Sequence, residues 1–143
     1  MAIPTKIRLE FVTPERAIVH EDVDELQLPG EEGFLGILPG HTPALVALKV
    51  GAMWYRQGSE TSHGFVAFGF AEILPDRVTI LARIAEKAEE IDAERAEAAK
   101  RRAEELLAQA NKGGVAVDLE RAHLALMRAL ARLQVALLSR VRR

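Results

Sequence analysis

The sequence predicts an all-β sandwich followed by a C-terminal antiparallel α-helical hairpin, and three observations support this. All 6 prolines and eight of the 10 glycines precede residue 85. Short apolar or alternating segments lie between these turn residues, as is typical of antiparallel sheets. After residue 85 proline is absent and Ala, Glu, Arg and Leu dominate, which favours helices. We therefore divide the 143 residues into a β-sandwich domain, residues 1–85, and a two-helix domain, residues 86–143.

The strands are predicted from seven short apolar or alternating segments in the first domain. Turn residues separate them at intervals of roughly 8–12 residues, the spacing of strands joined by tight connections. The segments are residues 7–11, 26–28, 34–38, 44–50, 53–55, 65–70 and 78–84. Together they predict several short strands packed as an antiparallel sandwich or barrel.

Two helices, separated by the pair Gly113 and Gly114, are predicted in the second domain. The first helix has an alanine face, followed by two leucines: Ala88, Ala96, Ala99, Ala103, Leu106 and Leu107. The second helix carries leucines at spacings that form one apolar stripe: Leu119, Leu126, Leu130, Leu133 and Leu137. Because small alanines opposite large leucines allow two helices to approach closely, we expect an antiparallel hairpin in which the leucines pack on the alanines.

The two predicted helices carry opposite net charge. Residues 86–105 hold eight acidic and five basic side chains, whereas residues 118–143 hold six arginines and two acidic side chains. This attraction supports the hairpin only weakly, because an exposed ion pair contributes about 0–1 kcal/mol. A hairpin held by one narrow stripe and by surface charges is our hypothesis for a mobile element.

Composition excludes several classes of protein. The formal net charge is -2, so the chain lacks the basic surface expected of a nucleic-acid-binding protein. Cysteine is absent, which excludes disulfides, thiolate metal sites and a cysteine nucleophile. No apolar segment approaches the ~20 residues of a membrane-spanning helix, and the first residues lack the apolar region of a signal peptide. We expect neither a nucleic-acid partner nor a membrane span.

The motifs of common active sites are also missing. The sequence has no G-x-x-x-x-G-K-S/T phosphate loop and no G-x-S-x-G motif. Gly30, Gly33 and Gly36 precede no predicted helix and are better interpreted as turn residues than as a dinucleotide site. The 4 histidines lie at least 21 residues apart, so we expect no metal site. No catalytic residues are predicted, and a stand-alone hydrolase is disfavoured.

Arginines on the two helices form a candidate anion site. The sequence DAERA at residues 92–96 recurs as DLERA at residues 118–122, and each Asp suits the N-cap of a helix. Arg95 and Arg102 share one face of the first helix. The arginines that share a face of the second helix are Arg121, Arg128 and Arg132. If the two faces meet, the guanidiniums need an anion or an acidic partner to offset their repulsion. Solvated helix faces and an anion site both remain open.

Three segments resemble one known family. Residues 28–43 read LPGEEGFLGILPGHTP, residues 48–51 read LKVG, and residues 75–82 read PDRVTILA. Over essentially its full length the chain resembles the epsilon subunit of bacterial F-type ATP synthase. The resemblance implies a sandwich of about ten strands followed by a two-helix domain. It also implies a non-catalytic central-stalk, or rotor, subunit that couples proton transport to ATP synthesis.

The resemblance further implies partners for each domain. The sandwich would bind the gamma subunit and touch the ring of c subunits. The ring contact would lie in the loop of residues 31–42, at Glu31, Glu32, Gly33, Phe34 and His41. The hairpin would extend, reach the catalytic alpha and beta subunits and inhibit ATP hydrolysis. The protein would then be a peripheral subunit at the cytoplasmic face of the bacterial inner membrane.

A nucleotide site is implied by the same resemblance. Residues 91–96 read IDAERA and match the family's ATP-binding pattern I/L-D-x-x-R-A. ATP would be a regulatory ligand, and no cofactor would be required. Adenine would lie near Ile91, Asp92 and Ala96. The phosphates would lie on Arg95, Arg128 and Arg132. Glu86 and Arg102 are the other positions that the resemblance implies for the site.

One alternative stays open at this point, a sandwich-plus-hairpin module that binds proteins unrelated to rotary motors. Co-purification with the gamma subunit distinguishes this module from an ATP synthase subunit. A turnover assay on the isolated chain tests the less favoured hydrolase.

Overall fold

The computed structural model describes residues 3–113 and 118–141. It consists of eight strands, a short 3-10 helix and two α-helices, which confirms the predicted sandwich and two-helix region. In chain order the elements are β1 (Ile7–Val12), β2 (Ala17–Val23), β3 (Glu25–Gly30), β4 (Gly33–Ile37), β5 (Ala44–Leu48), β6 (Gly51–Gln57), β7 (Glu60–Leu74), β8 (Arg77–Lys87), the 3-10 helix (Ala88–Glu90), α1 (Ala93–Asn111) and α2 (Leu119–Val141).

The sheet folds back on itself through its long strands. Its order is β2-β1-β8-β7-β5-β3-β4, and β6 pairs with β3 and β7. Among the described strands β1 and β8 are parallel, and the other pairs are antiparallel. The inward side chains of β1 illustrate the core, since Ile7, Leu9 and Phe11 are at most 1% exposed while the alternate positions are not buried.

The described residues form eight strands where the resemblance implies about ten, and two of them, β7 and β8, are long, with 15 and 11 residues. The first half of β7 pairs with β6 and its second half with β5, so one strand serves two neighbours. The two halves meet at Phe68 and Gly69, whose φ values of 60° and 140° depart from those of an extended strand. A Cβ at Gly69 would lie 2.0 Å from the carbonyl oxygen of Leu81. Only glycine fits this point of the strand.

The first α-helix excludes Ala88, which was predicted to lie on its alanine face, and begins after Asp92, the N-cap that the repeat predicts. β8 continues through Lys87, because Glu86 pairs with Phe65 and Lys87 pairs with Gly64. Only after the 3-10 helix does α1 begin, with Asp92 as its N-cap. The division of the chain at residue 85 stays a prediction, and β8 runs two residues beyond it. At the other end α1 stops at Asn111, before Gly113 with φ 68°; Gly114 lies outside the described residues.

Alanines from both helices form the seam of the hairpin, which we call the alanine seam. Ala96 and Ala103 of α1 are buried, and so are Ala122, Ala129 and Ala136 of α2. Within each helix these residues are seven apart, so they share one face. The prediction that the leucine stripe packs on the first helix is wrong for Leu119, Leu130 and Leu137, which are 55%, 46% and 62% exposed. Alanines on both sides let the axes approach more closely than leucines would.

A different face of α2 packs against the sheet. Ala131 and Val135 belong to a buried cluster with Phe65 and Ala67 of β7, and Met127 packs at its edge. Ala88 of the 3-10 helix and Ile91 join the same cluster. The hairpin is therefore docked on the sandwich by apolar contacts of α2. No helix in the described part of the chain is long and apolar enough to cross a membrane.

Candidate functional site

A polar cleft lies where the end of β8, the 3-10 helix, α1 and α2 meet, and we call it the arginine cleft. Its volume is about 420 Å³. Three carboxylates, three guanidiniums and two alanines line it: Glu86, Glu90, Asp92, Arg95, Ala96, Ala99, Arg102 and Arg132. The fold therefore brings together side chains from four elements that are up to 46 residues apart in sequence.

Arg132 is held in place at the floor of the cleft. Its Nε donates a hydrogen bond to Oε1 of Glu86 at 2.7 Å, and its guanidinium carbon lies 4.6 Å from the ring centroid of Phe65. The two charged side chains are 28% and 26% exposed. Arg132 thus makes an ion pair and a cation–π contact, both partly shielded from water.

Two other guanidiniums of the cleft have no carboxylate partner. The salt bridges of α1 join Lys100 and Arg101 to acidic neighbours on the same helix. Among the described residues these bridges leave Arg95 and Arg102 unpaired, and both side chains are exposed on the cleft wall. The wall therefore offers two guanidiniums free of carboxylates, a group that donates paired hydrogen bonds to phosphate oxygens.

The two repeated aspartates both act as helix caps. Oδ1 of Asp92 accepts a hydrogen bond from the backbone N–H of Arg95 at 3.1 Å. Oδ1 of Asp118 accepts one from the N–H of Arg121, also at 3.1 Å. Only Asp92 lines the arginine cleft, because α2 runs antiparallel to α1 and its N-terminus lies at the far end of the hairpin.

Glu90, which the sequence analysis did not single out, has the most hydrogen-bonded carboxylate of the cleft. Its Oε1 and Oε2 accept hydrogen bonds from the two terminal nitrogens of Arg16 at 2.9 and 2.5 Å. Oε2 also accepts one from the backbone N–H of Lys87 at 3.1 Å. The hydrogen bonds from Arg16, together with its charge, lower the pKa of Glu90.

Six of the eight residues assigned to ATP by the resemblance line this cleft. Ile91 does not line it, because its half-buried side chain packs against the apolar cluster under α2. Arg128 does not line it either, since it lies with Arg121 in a separate depression near the start of α2. Arg128 precedes Arg132 by one helical turn, about 6 Å along the axis. The nucleotide assignment of all eight residues stays a prediction.

The residues assigned to the ring contact do not lie in one loop. Glu31 and Glu32 connect β3 to β4, and Gly33 and Phe34 open β4. His41 lies beyond the other end of β4, where its Nδ1 is 2.7 Å from the carbonyl oxygen of Thr42. The expectation of a single loop over residues 31–42 is therefore wrong. Residues 33–37, in the middle of this segment, form the strand β4, which is hydrogen-bonded to β3.

An apolar face on the outer side of β5, β7 and β8 was not predicted, and we call it the outer apolar face. Leu45, Phe70 and Leu81 are 72%, 56% and 57% exposed. Phe70 pairs with Leu81 across one ladder and with Ala47 across the next, so these side chains lie on one side of the sheet. Large exposed apolar side chains in neighbouring strands mark a contact surface. Among the residues that the structure describes, no group of three or more His, Asp or Glu could hold a metal ion.

Comparison with known proteins places both halves of the chain in one family. Residues 6–88 match the beta-sandwich domain of the ATP synthase delta/epsilon chain, and residues 89–136 match its long alpha-helix domain. The ATP synthase epsilon chain of Nitratidesulfovibrio vulgaris strain DP4 is 48% identical over 129 residues, which cover 90% of this chain and 94% of that one. That of Syntrophobacter fumaroxidans is 50% identical over 131 residues, covering 92% and 96%.

Solved structures of ATP synthases contain chains with the same fold. A chain in the structure of the Euglena gracilis mitochondrial ATP synthase, OSCP/F1/c-ring, matches with a TM-score of 0.80 and 26% identity, over 96% of this chain and 84% of that one. A chain of the Tetrahymena thermophila mitochondrial ATP synthase central stalk and c-ring shares the fold, with a TM-score of 0.58 and 16% identity over 96% and 98%. The chain therefore belongs to the ATP synthase delta/epsilon chain family.

Proposed function

We propose that the chain couples and regulates ATP synthase without an active site of its own, and that its hairpin binds ATP in the arginine cleft. As a member of its family, the chain is an epsilon subunit of F-type ATP synthase and a component of the central stalk. The observation that supports the ATP site is the cleft itself, where Arg95 and Arg102 are unpaired beside Arg132.

The cleft suits a phosphate-bearing ligand in charge and in size. Guanidinium groups donate paired hydrogen bonds to phosphate oxygens, and these charge-assisted bonds are stronger than neutral ones. The volume of about 420 Å³ lies within the ~300–1,000 Å³ that small-molecule sites occupy. Asp92 and Ala96 lie on the same wall, next to the arginines, and would face the remainder of the nucleotide.

ATP binding would be linked to folding of the hairpin. Arg132 comes from α2, Arg95 and Arg102 come from α1, and Glu86 comes from β8, so the cleft is complete only when all three elements are docked. A ligand that binds only this arrangement stabilises it by about 2.7 kcal/mol at a concentration 100 times its Kd. High ATP would therefore favour the docked hairpin. At low ATP the hairpin would extend towards the catalytic alpha and beta subunits and inhibit hydrolysis.

Thermal unfolding of the isolated chain with and without ATP tests this proposal. Trp54 is the one tryptophan of the chain and lies in a groove with Gln134 and Leu138 of α2, so its fluorescence reports the docked hairpin. We expect ATP to raise the midpoint for wild type. Arg102→Ala should remove most of this rise and Arg101→Ala should keep it, because Arg101 does not line the cleft. No rise up to millimolar ATP would contradict the ATP site.

The sandwich would supply the contacts with the other rotor subunits. The outer apolar face is the best candidate for binding the gamma subunit, because Leu45, Phe70 and Leu81 have no cover in the isolated chain. Phe34 is 61% exposed beside Glu31 and Glu32, which supports this end of β4 as a contact with the ring of c subunits. The protein would then sit peripherally at the cytoplasmic face of the bacterial inner membrane. The alternative of a module unrelated to rotary motors is not supported, since both domains match the family.

A further inference from the structure

We propose that Arg16, a residue of the sandwich outside the arginine cleft, is a positioning residue for the anion site in that cleft. It would hold the carboxylate of Glu90 away from the ligand and compensate its charge. This inference rests on the proposed function. It adds to the site a residue from the connection between β1 and β2, which is 74 positions from Glu90 in the sequence.

The geometry between Arg16 and Glu90 is bidentate. The two terminal nitrogens of the guanidinium donate to the two carboxylate oxygens at 2.9 and 2.5 Å. Such a fork fixes the plane of the carboxylate as well as its position. The backbone N–H of Lys87 donates a third hydrogen bond to the same group, at 3.1 Å. The carboxylate of Glu90 is therefore turned towards Arg16 and the last residue of β8.

Arg16 itself projects from a fixed turn between β1 and β2. The backbone N–H of Thr13 donates to the carbonyl oxygen of Arg16 at 2.9 Å. The N–H of Arg16 donates in return to Oγ1 of Thr13 at 3.3 Å. Because the turn is closed by these bonds, the guanidinium begins from a defined backbone position, and the sandwich rather than the hairpin sets the place of Glu90.

The charges of the cleft explain why this matters for an anion. Its lining contains three carboxylates and three guanidiniums, which by themselves balance. Glu86 is occupied by Arg132, and Asp92 caps α1. Glu90 has no guanidinium partner inside the cleft, so Arg16 supplies it from outside and leaves the site with one net positive charge.

Glu90 does not lose its negative charge by protonation at neutral pH. Hydrogen bonds from Arg16 lower the pKa of Glu90, so the carboxylate stays ionised. Without Arg16 the ionised carboxylate would face the phosphates directly, and like charges in a cleft repel. The positioning role therefore predicts a loss of affinity that depends on Glu90 being present.

ATP titration of four full-length proteins tests this: wild type, Arg16→Gln, Glu90→Gln and the double variant. We expect Arg16→Gln to weaken ATP binding by about threefold to tenfold, the range for loss of one nearby charge. Glu90→Gln should bind at least as tightly as wild type, and the double variant should regain the affinity that Arg16→Gln loses. Arg16→Lys should recover part of it.

The pattern separates positioning from a plain structural tether. Glu90→Gln breaks the same ion pair, so a tether predicts that all three variants weaken binding equally, and that result would overturn the proposal. Arg8→Gln is the matched control, because Arg8 is an exposed arginine that pairs with Asp22 on the sandwich and does not line the cleft. If wild type binds ATP and Arg16→Gln binds it equally well, the inference about Arg16 is wrong and the proposed ATP site is not affected. If wild type binds no ATP, the proposed function fails and this inference fails with it.

Discussion

Arg132 and Glu86 lie 46 residues apart in the chain, and Nε of Arg132 donates a hydrogen bond to Oε1 of Glu86 at 2.7 Å. The pair joins the middle of α2 to the last residues of β8. Since the guanidinium also lies over the ring of Phe65, it connects the hairpin to both long strands of the sandwich. Docking of the hairpin therefore depends on this arginine as well as on the apolar contacts of α2.

We predict that Arg132→Met weakens docking of the hairpin. The variant keeps much of the side-chain length but loses the ion pair and the cation–π contact, which together should cost about 1–2 kcal/mol. Urea unfolding followed by Trp54 fluorescence measures this change. Arg140→Met is the control, because Arg140 is exposed in the last turn of α2 and should change the free energy of unfolding by less than about 0.5 kcal/mol. Equal effects of the two variants would contradict the docking role.

The two aspartate caps allow capping to be separated from ATP binding. Asp92→Ala and Asp118→Ala each remove one hydrogen bond to a first-turn N–H and should each cost about 1 kcal/mol of stability. Only Asp92 lines the arginine cleft. We therefore expect the rise in thermal midpoint with ATP to be lost in Asp92→Ala and kept in Asp118→Ala. Loss of the rise in both variants would mean that helix stability alone governs binding.

Acid stability should depend on Asp24, at the junction of β2 and β3. Its pKa is lowered, first by a hydrogen bond from Lys6 and then by one from the backbone N–H of Gly58. Because the folded pKa lies below the unfolded one, the contribution of Asp24 is present above roughly pH 4 and is lost as the pH falls through the lower folded value. Asp24→Asn should flatten the decrease in stability below pH ~4, measured by acid unfolding.

The exposed Asp76 provides the control for that measurement. Its side chain forms no salt bridge with any described residue, so Asp76→Asn should leave the dependence on pH as it is in wild type. If Asp24→Asn showed the same acid limb as wild type, other carboxylates would have to account for the loss of stability at low pH.

Binding to the gamma subunit should require the outer apolar face. Phe70→Ser and Leu81→Ser should leave the isolated chain folded, because both side chains are more than half exposed, but should reduce co-purification with gamma. Leu137→Ser is the matched control, since this leucine is 62% exposed on α2, away from that face. Unchanged recovery of gamma with both sandwich variants would exclude the outer apolar face as the contact.

The ring contact can be located by cysteine crosslinking, because the chain has 0 natural cysteines. Glu32→Cys and His41→Cys place thiols beyond the two ends of β4, whose five residues span about 13 Å. We expect both to crosslink to c subunits in the assembled enzyme. Glu60→Cys, at the first residue of β7, is the control and should not form this crosslink. Crosslinks from neither of the first two positions would contradict the assignment.

The division into strands and helices could be predicted because it is written in local patterns. Prolines, glycines and alternating side chains indicate strands even when the neighbouring strands in the sheet are unknown. The resemblance to a family implied the same division into a sandwich and two helices. The seven segments correspond to seven of the eight strands, whereas the number ten came from the resemblance. The strand that was missed is β2, because His20, Glu21 and Asp22 interrupt its apolar side chains.

Asp92 was correctly predicted as the N-cap of α1. Ala88 was wrongly assigned to that helix, because pairing of Glu86 with Phe65 and of Lys87 with Gly64 extends β8 up to it.

The hairpin seam shows a second limit of sequence patterns. Alanines and leucines of α2 both recur with helical period, so either set satisfies the criterion for a buried face. Which set is buried depends on what α1 presents, and the close approach of its alanines favours alanines. In the arginine cleft, the spacing of Arg95 and Arg102 predicted a shared face. Arg16 could not be found in this way, because its contact with Glu90 crosses 74 residues.

The alanine seam also limits how much apolar surface would become exposed to water if the two helices separated. Each alanine exposes a single methyl group, worth about 0.8 kcal/mol when buried, whereas a leucine in its place would be worth about 1.5–3 kcal/mol. Leu130 and Leu137 are already wetted in the closed hairpin and would add almost nothing to that cost. Separation of α1 from α2 along this seam would therefore expose less apolar surface than separation of a leucine-packed hairpin.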